Sequence, residues 1–289
     1  MYVKRSKDFQ KSIREEEFEL FREFFYRKTG IMFDRTKRYF VDRRILQRME
    51  ASGHETVKSY LSALRSPSNI RELQELINSL TVNETYFFRE KYQMECLVSH
   101  LLPEVTSRKK KGEVIRIWSI PSSTGEEPYS IAIYLLEFWA DLDSYEVEIM
   151  ASDIDTGVLE LAKKATYGLR AVQQLPSYIL QKYFDCNEDG FYRLCEEVRS
   201  AVEFSRVNII DHNEIKRYRG MDVVFCRNLL IYFDDASRKL AAENLYEVIS
   251  PGGFICLGHS ESMSRISPLF LIRKYPQGIV YQKPLEGGK

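Results

Sequence analysis

Small polar residues and two adjacent carboxylates follow an apolar segment at 114–118, in an order that suits ligand binding. The segment predicts a strand, residues 119–125 a turn, and Glu126 the start of a helix. Gly125 would let a ligand approach the backbone, and the free N–H groups of the first helical turn would face it. Glu126 and Glu127 disfavour phosphate there, because like charges a few Å apart cost several kcal/mol in a partly dry site. The alternative for Thr124-x-x-Glu127 is a capping box with no ligand role.

Asp153 follows a second apolar segment at 147–151 and sharpens the prediction. In doubly wound sheets, an acid at the end of the second strand commonly binds the ribose of an adenosine ligand. The alternative is a cap for a helix at 156–164, a role that Asp155 suits better. An adenosine ligand with a cationic remainder and no phosphate is S-adenosylmethionine. The turn and Asp153 together predict this cofactor.

Polar residues also flank an aromatic pair in TVNETYFFRE, residues 81–90. The segment joins two predicted domains, and ligand pockets tend to form at such junctions. Arg89 suits bidentate pairing with the carboxylate of a bound amino acid. Asn83 or Thr85 could instead cap a turn.

Two more motifs stand at predicted strand ends. Arg227 and Asn228 follow the strand 221–226, where doubly wound folds place ligand contacts. His259, Ser260 and Glu261 suggest a hydrolase, but G-x-S-x-G is absent and the order of elements is wrong for a nucleophile elbow. The four histidines show no metal-ligand spacing, so no metal site is predicted.

Composition excludes several classes of protein. The 289 residues suffice for about two domains, and the 42 basic and 42 acidic residues balance, which argues against a nucleic-acid binder. The five cysteines include no C-x-x-C pair and indicate neither zinc nor a disulfide framework. No apolar run approaches the length of a membrane span or a signal core. We therefore expect a cytoplasmic protein.

The order of elements predicts a helical N-terminal domain, residues 1–85, and an α/β domain, residues 86–289. Apolar periodicity predicts helices at 15–28, 36–51, 56–64 and 70–80, and another at 91–107. Alternating strands and helices then predict a doubly wound, Rossmann-like parallel sheet. Residues 168–205 break this rhythm and predict a small inserted β subdomain, with strands at 190–194 and 202–204. The main sheet is expected to resume at 207–210.

The second predicted helix carries a basic face formed by Lys37, Arg38, Arg43, Arg44 and Arg48. Such a face is often only solvated. The alternative is a docking surface for an acidic partner helix.

The motifs taken together resemble the CheR family of chemotaxis receptor glutamate O-methyltransferases. The resemblance rests on NETYFFRE (83–90), STGEEPYSIA (123–132), ASDID (151–155), VNI (207–209), FCRNLLIYF (225–233) and GHSES (258–262). It spans most of the chain and implies a small helical domain before an S-adenosylmethionine-binding methyltransferase domain with an inserted β subdomain.

The resemblance also implies roles for individual residues. We expect Arg89 and Tyr232 to be catalytic, orienting the substrate carboxylate and the methyl group, because they lie in two motifs that border the implied pocket. Independently of the resemblance, the basic face of the second helix predicts that Arg43, Arg44 and Arg48 bind the partner. The implied cofactor contacts are Asn83, Thr85 and Arg89 at the methionine end, Glu127 at the turn, Asp153 on the ribose, Asn208 and Ile209 beside the adenine, and Arg227 and Asn228 in the pocket wall.

The implied reaction methylates glutamate γ-carboxylates in the cytoplasmic helical region of methyl-accepting chemotaxis receptors and releases S-adenosylhomocysteine. We expect a monomer that inserts into no membrane. The short segment 184–204 predicts an enzyme that does not need a receptor tail peptide. The alternative is a non-catalytic module that senses S-adenosylmethionine or binds a partner. Ile120 and Pro121 favour that alternative, since the family usually has small residues there.

Overall fold

The computed structural model describes residues 12–285, and their contacts divide the chain into two compact units. The helical unit comprises the chain up to Val82 together with Tyr232–Asp234. The sheet unit comprises Asn83–Ile231 and the chain from Asp235 onward. No helix in the described part of the chain is long and apolar enough to cross a membrane.

The helical unit forms because each helix has one apolar face to bury. Phe18, Phe21, Phe25 and Ile45 are completely buried in its core, and burying such side chains contributes about 1.5 to 3 kcal/mol each. The helix bounds lie within two residues of the predicted ones. The helices are α1 (Glu15–Thr29), α2 (Arg38–Ser52), α3 (Val57–Leu64) and α4 (Ile70–Leu80), with 3-10 turns at Arg35–Lys37 and Pro67–Asn69.

Tyr232–Asp234 comes from late in the sequence yet belongs to the helical unit. Phe233 forms an antiparallel bridge with Ile31, and the Met32 N–H donates to the Tyr232 carbonyl oxygen at 3.3 Å. The Tyr26 hydroxyl donates to the Asp234 carboxylate at 3.0 Å. These bonds tie the segment to the end of α1 and the chain just after it.

The sheet unit contains a seven-stranded sheet in the order β6-β2-β1-β7-β8-β10-β9. The pairs from β6 to β8 are parallel, and β10 runs antiparallel to both β8 and β9. This confirms the predicted doubly wound, Rossmann-like class. The strands are β1 (Val114–Ser119), β2 (Glu146–Asp153), β6 (Val202–Arg206), β7 (Met221–Cys226), β8 (Ile249–Leu257), β9 (Leu271–Tyr275) and β10 (Gly278–Gln282).

Helices pack on the sheet through apolar faces, with Trp118, Phe225 and Phe254 completely buried in the core. The predicted helix at 91–107 is interrupted by a π-helix, Leu97–Leu101, just before Pro103, which has no N–H to donate. The helices are α5 (Lys91–Cys96), α6 (Leu102–Thr106), α7 (Glu126–Phe138), α8 (Thr156–Lys164), α9 (Leu169–Val172), α10 (Ser177–Tyr183), α11 (Glu196–Ser200), α12 (His212–Ile215) and α13 (Asp235–Val248), with 3-10 turns at Leu142–Ser144, Leu230–Tyr232 and Met263–Arg265.

A separate three-stranded sheet, in the order β3-β5-β4, lies between α8 and β6 in the sequence. Its strands are β3 (Thr166–Tyr167), β4 (Phe184–Cys186) and β5 (Tyr192–Leu194).

One predicted strand lies in a different sheet from the one expected. Residues 202–204 belong to β6, which pairs with β2 in the main sheet, so the prediction that they form part of the insert is wrong. The alternation of Val202 and Phe204 indicates a strand but says nothing about which strand it pairs with. In the structure Phe204 also packs on Tyr129 of α7. The expected strand at 207–210 is instead the loop after β6.

Candidate active site

The candidate site lies at the carboxyl edge of the parallel strands. Because β1, β2, β6, β7 and β8 run in the same direction, the loops after them emerge at one edge of the sheet. The residues singled out from the sequence lie at this edge, with Asp153 as the last residue of β2, Asn208 in the loop after β6 and Arg227 in the loop after β7.

Gly125 fixes the turn between β1 and α7. Its φ of 96° is in the left-handed region, which favours glycine. A Cβ there would lie 3.0 Å from both the Ala162 Cβ and the Tyr129 ring, and 3.1 Å from the Tyr167 hydroxyl. Backbone angle and space together therefore exclude a side chain, and the helix end stays open toward the turn.

The capping-box alternative for Thr124 and Glu127 is wrong. Gly125 is the N-cap of α7 and makes no side-chain cap bond, and the Thr124 hydroxyl bonds the Glu126 carboxylate at 2.6 Å. Burial raises the pKa of Glu126. Glu127 instead accepts from the Ser119 hydroxyl at 2.8 Å and forms an ion pair across the site.

Arg227 is that partner, and its side chain is only 2% exposed. Nη1 lies 2.6 Å from Glu127 Oε2, and Nη2 lies 3.2 Å from Glu90 Oε2 and 2.9 Å from the Arg89 carbonyl oxygen. Burial raises the pKa of Glu90, but the Arg227 charge and hydrogen bonds from His259 and Tyr92 outweigh it and lower that pKa overall. The guanidinium thus joins the loop after β7 to the first turn of α7 and to the 83–90 segment.

Asp153 lies at the end of β2 and is 3% exposed. Its two carboxylate oxygens accept from the backbone N–H groups of Ser123 at 2.8 Å and Asp155 at 3.0 Å. Burial raises the pKa of Asp153 to about 6, against the lowering effect of these bonds. Asp155 accepts from two N–H groups in the first turn of α8, which confirms it as the helix cap. Its other oxygen accepts from the Asn83 amide at 2.9 Å.

The backbone of the loop after β6 is hydrogen-bonded to side chains of neighbouring helices. The Asn208 N–H donates to Glu214 at 2.7 Å, and the Ile209 carbonyl accepts from the Asn244 amide at 2.8 Å. Both Asn208 and Ile209 are buried, and the loop follows directly on the strand that pairs with the Asp153 strand.

The other predicted site residues, Arg89, Thr85 and Tyr232, are more exposed to solvent than Asp153 and Arg227. Arg89 donates from Nη1 to the Glu84 carbonyl at 2.7 Å, and its guanidinium lies 5.8 Å from the Tyr86 ring centroid. Thr85 is half-buried in the same segment. Tyr232, which belongs to the helical unit, is 37% exposed.

Three loops of the site contain a left-handed residue other than glycine. Glu90, Ser123 and Asn228 have φ values of 54°, 48° and 58°. Each such residue costs on the order of 1 kcal/mol or more and persists where the surroundings enforce it, most often at functional sites. Glu90 and Asn228 flank the Arg227 ion pairs, and Ser123 contacts Asp153.

The donor set fits S-adenosylmethionine better than a phosphate ligand. Three carboxylates, Glu126, Glu127 and Asp153, surround the open end of α7, and Arg227 is already paired with two acids. A ligand with ribose hydroxyls and a sulfonium charge satisfies these groups, whereas a phosphate would be repelled. Within residues 12–285, no cluster of three or more His, Cys, Asp or Glu side chains could hold a metal ion.

Sequence reasoning missed Glu90, which bonds four side chains: those of Arg227 and His259 in two other motifs, and those of Tyr92 and Gln93 in α5. The available signal was its position beside Arg89 in the 83–90 motif. It also missed Glu261, which bonds the loop containing Asn228. His259 lies 3.1 Å from Glu90 Oε1, and Glu261 bonds backbone N–H groups, so the hydrolase reading of 259–261 finds no support in these contacts.

The basic face of α2 is partly used within the helical unit. Arg48 Nε donates to Glu72 at 3.0 Å, and Arg38 is bound to Glu15. Arg44 lies over the Phe40 ring, and Arg43 is exposed.

Comparison with known proteins matches two family models in succession. Residues 16–81 match the all-alpha domain of CheR methyltransferases, and residues 83–279 match their SAM-binding domain. Similar curated proteins include chemotaxis protein methyltransferase 2 of Vibrio cholerae, 50% identical over 275 residues and 95% of each chain. The chemotaxis protein methyltransferase of Salmonella typhimurium is 37% identical over 86% of this chain and 84% of its own. The Escherichia coli protein of that name is 34% identical over 86% and 85%.

Proposed function

The chain belongs to the CheR methyltransferase family, and from this premise we propose that it methylates glutamate γ-carboxylates of methyl-accepting chemotaxis receptors. It is an S-adenosylmethionine-dependent methyltransferase of chemotaxis. The observation that carries the receptor proposal is 50% identity over 95% of both chains with a relative named as a chemotaxis protein methyltransferase. The substrate site would be the cytoplasmic helical region of the receptor.

The chemistry requires little beyond alignment. S-adenosylmethionine supplies an electrophilic methyl group. A glutamate γ-carboxylate is ionised at neutral pH, so no general base is needed. The chain's residues have to hold the carboxylate oxygen in line and exclude water. We assign this orienting role to Arg89, whose guanidinium can engage a carboxylate in bidentate fashion, and to Tyr232.

The cofactor contacts follow from the residues at the strand ends. Asp153, with an oxygen acceptor buried at the end of β2, would bind the ribose hydroxyls, and Glu127 would face the cofactor at the turn. Asn208 and Ile209 would lie beside the adenine. Asn83, Thr85 and Arg89 would hold the methionine end, and Arg227 and Asn228 would line the pocket.

The helical domain would supply receptor docking, and the methyltransferase domain catalysis. Arg43 and Arg44 on α2 are the residues best suited to an acidic receptor helix, because Arg48 already bonds Glu72. We propose that the protein acts in the cytoplasm as a monomer. The non-catalytic alternative is not favoured, since relatives across the whole chain are methyltransferases.

Two measurements test the function. Calorimetric titration with S-adenosylmethionine and S-adenosylhomocysteine should give micromolar binding that Asp153→Ala abolishes. Transfer of labelled methyl groups to a receptor cytoplasmic fragment should be lost in Arg89→Ala, with the midpoint of thermal unfolding unchanged. Equal turnover by Arg89→Ala would refute its role. Binding without transfer to any receptor fragment would refute the proposed substrate and leave the cofactor assignment intact.

A further inference from the structure

The carboxylate of Glu261 is bonded to the backbone of a different loop. Oε2 accepts from the Asn228 N–H at 2.8 Å and from the Gly258 N–H at 2.9 Å. Oε1 accepts from the Leu230 N–H at 2.7 Å. One side chain therefore joins the loop after β7 to the loop after β8.

These bonds act on a backbone that would otherwise be unfavourable. Asn228 has a φ of 58°, a conformation that costs a residue other than glycine on the order of 1 kcal/mol. Charge-assisted bonds from a carboxylate to backbone N–H groups are about twice as strong as neutral ones. Glu261 bonds the N–H of Asn228 and, two residues further on, that of Leu230, so it holds both sides of the left-handed turn.

Gly258 packs against the same turn. A Cβ at Gly258 would lie 2.8 Å from the Asn228 amide nitrogen and 2.9 Å from Glu261 Oε2. Real Cβ atoms do not come this close, so the Asn228 side chain lies directly against the backbone of the β8 loop. Its position depends on the space at Gly258 and on the acceptor at Glu261.

We infer that Glu261 is a positioning residue that sets the conformation of Asn228 for cofactor binding, with Gly258 as the surface against which the Asn228 amide packs. The inference rests on the proposed role of Asn228 in the pocket wall. Glu261 itself has no contact with the reacting atoms in this assignment. It acts through the backbone of residues 228–230.

The isosteric variant Glu261→Gln provides the test. A glutamine presents one oxygen and one NH2 group to N–H donors on both sides, so it loses the bonds from Leu230 or those from Asn228 and Gly258. We expect the dissociation constant for S-adenosylhomocysteine to rise at least tenfold. Asn228→Ala should raise it similarly. The double variant should bind S-adenosylhomocysteine with about the same affinity as the weaker-binding single variant, because both substitutions disrupt the same contact.

Asp222→Asn, a substitution in β7, is a matched control. Asp222 is also buried, and its carboxylate accepts from the Arg116 N–H at 2.9 Å. Asp222 is the second residue of β7, whereas Asn228 follows the other end of the strand. The Asp222→Asn variant should have a lower unfolding midpoint but an unchanged dissociation constant for S-adenosylhomocysteine. Gly258→Ala would crowd both the Asn228 amide and the Glu261 carboxylate, so it should weaken binding as Glu261→Gln does.

The outcomes separate the inference from the proposed function. Absence of binding by the wild-type protein would refute the cofactor site itself. Wild-type affinity in folded Glu261→Gln, or fully additive losses in the double variant, would overturn the inference alone. If Glu261→Gln does not fold, Gly258→Ala takes its place in the double-mutant cycle with Asn228→Ala. Fully additive losses of affinity in that cycle would likewise overturn the inference.

Discussion

Replacing Arg227 by methionine should destabilise the sheet unit strongly at neutral pH. The guanidinium is 2% exposed and bonds two carboxylates and one carbonyl oxygen. Arg227→Met leaves Glu90 and Glu127 facing one another with side chains only 11% and 12% exposed. Removing one partner from a buried ion pair typically costs about 3 to 5 kcal/mol. We expect about 3 kcal/mol here, because Glu127 keeps the Ser119 bond and Glu90 keeps those of Tyr92 and Gln93.

Fluorescence can follow this loss, because both tryptophans, Trp118 and Trp139, belong to the sheet unit. At about 2 to 4 °C per kcal/mol for a unit of this size, the midpoint should fall by roughly 6 to 12 °C. Arg116→Met is the matched control. Arg116 pairs with Glu148 where both side chains are more than one-third exposed, and such pairs contribute less than about 1 kcal/mol.

The pH dependence provides the decisive check. In the wild-type protein the pKa of Glu90 is lowered, so its stabilising contribution is present above the unfolded pKa of about 4.3 and is lost as pH falls. Without Arg227, burial would raise that pKa, and protonation would relieve the repulsion. The deficit of Arg227→Met should therefore shrink between pH 7 and pH 4.5. A deficit under 1 kcal/mol at pH 7, or one that grows on acidification, would refute the reasoning.

Three further predictions concern other parts of the molecule. Because burial raises the pKa of Asp153 to about 6, affinity for S-adenosylhomocysteine should weaken about tenfold from pH 7.5 to pH 5 by calorimetry, and Asp153→Asn should show no such slope. Gly125→Ala should cost about 2 to 4 kcal/mol in urea unfolding and abolish binding, since it combines a left-handed φ with crowding; wild-type affinity would contradict this. Arg48→Ala should destabilise the helical unit by about 1 to 2 kcal/mol, because it removes the hydrogen bond to Glu72. Arg43→Ala should slow receptor methylation without changing stability. If Arg43→Ala instead lowers stability and leaves methylation unchanged, Arg43 is not a docking residue.

Most helices and strands could be predicted from the sequence, because their bounds are set by residues within the element itself or directly beside it. The apolar stripe and closing glycine of α1 set its length, and the predicted span 156–164 is that of α8, whose cap Asp155 was also identified. Strand β7 was predicted at its observed bounds from the apolar segment MDVVFC, and its six residues are all buried in the structure. The fold class follows from the order of these elements.

The parts that were missed depend on contacts between distant residues. Whether 202–206 joins the insert or the main sheet is decided by pairing with β2, which alternation does not encode. Arg227 meets Glu127 and Glu90 from positions 100 and 137 residues away. The sequence predicts Arg227 and Glu127 as site residues, but it contains no sign of their mutual ion pair or of the backbone bonds of Glu261. Those contacts form only when the strands lie side by side.

The assignment of Tyr232–Asp234 to the helical unit affects how such proteins can recombine. Ile31 and Phe233 are joined by a bridge although the sequence between them encodes most of the methyltransferase domain. A single crossover near Val82 between two homologous genes would therefore combine the α1 end of one parent with the 232–234 segment of the other. The bridge itself is made by the backbone and tolerates different side chains, but the Tyr26–Asp234 hydrogen bond depends on residue type. Viable hybrids should therefore retain a hydrogen-bonding pair at positions 26 and 234, and these positions should be inherited together across a domain exchange.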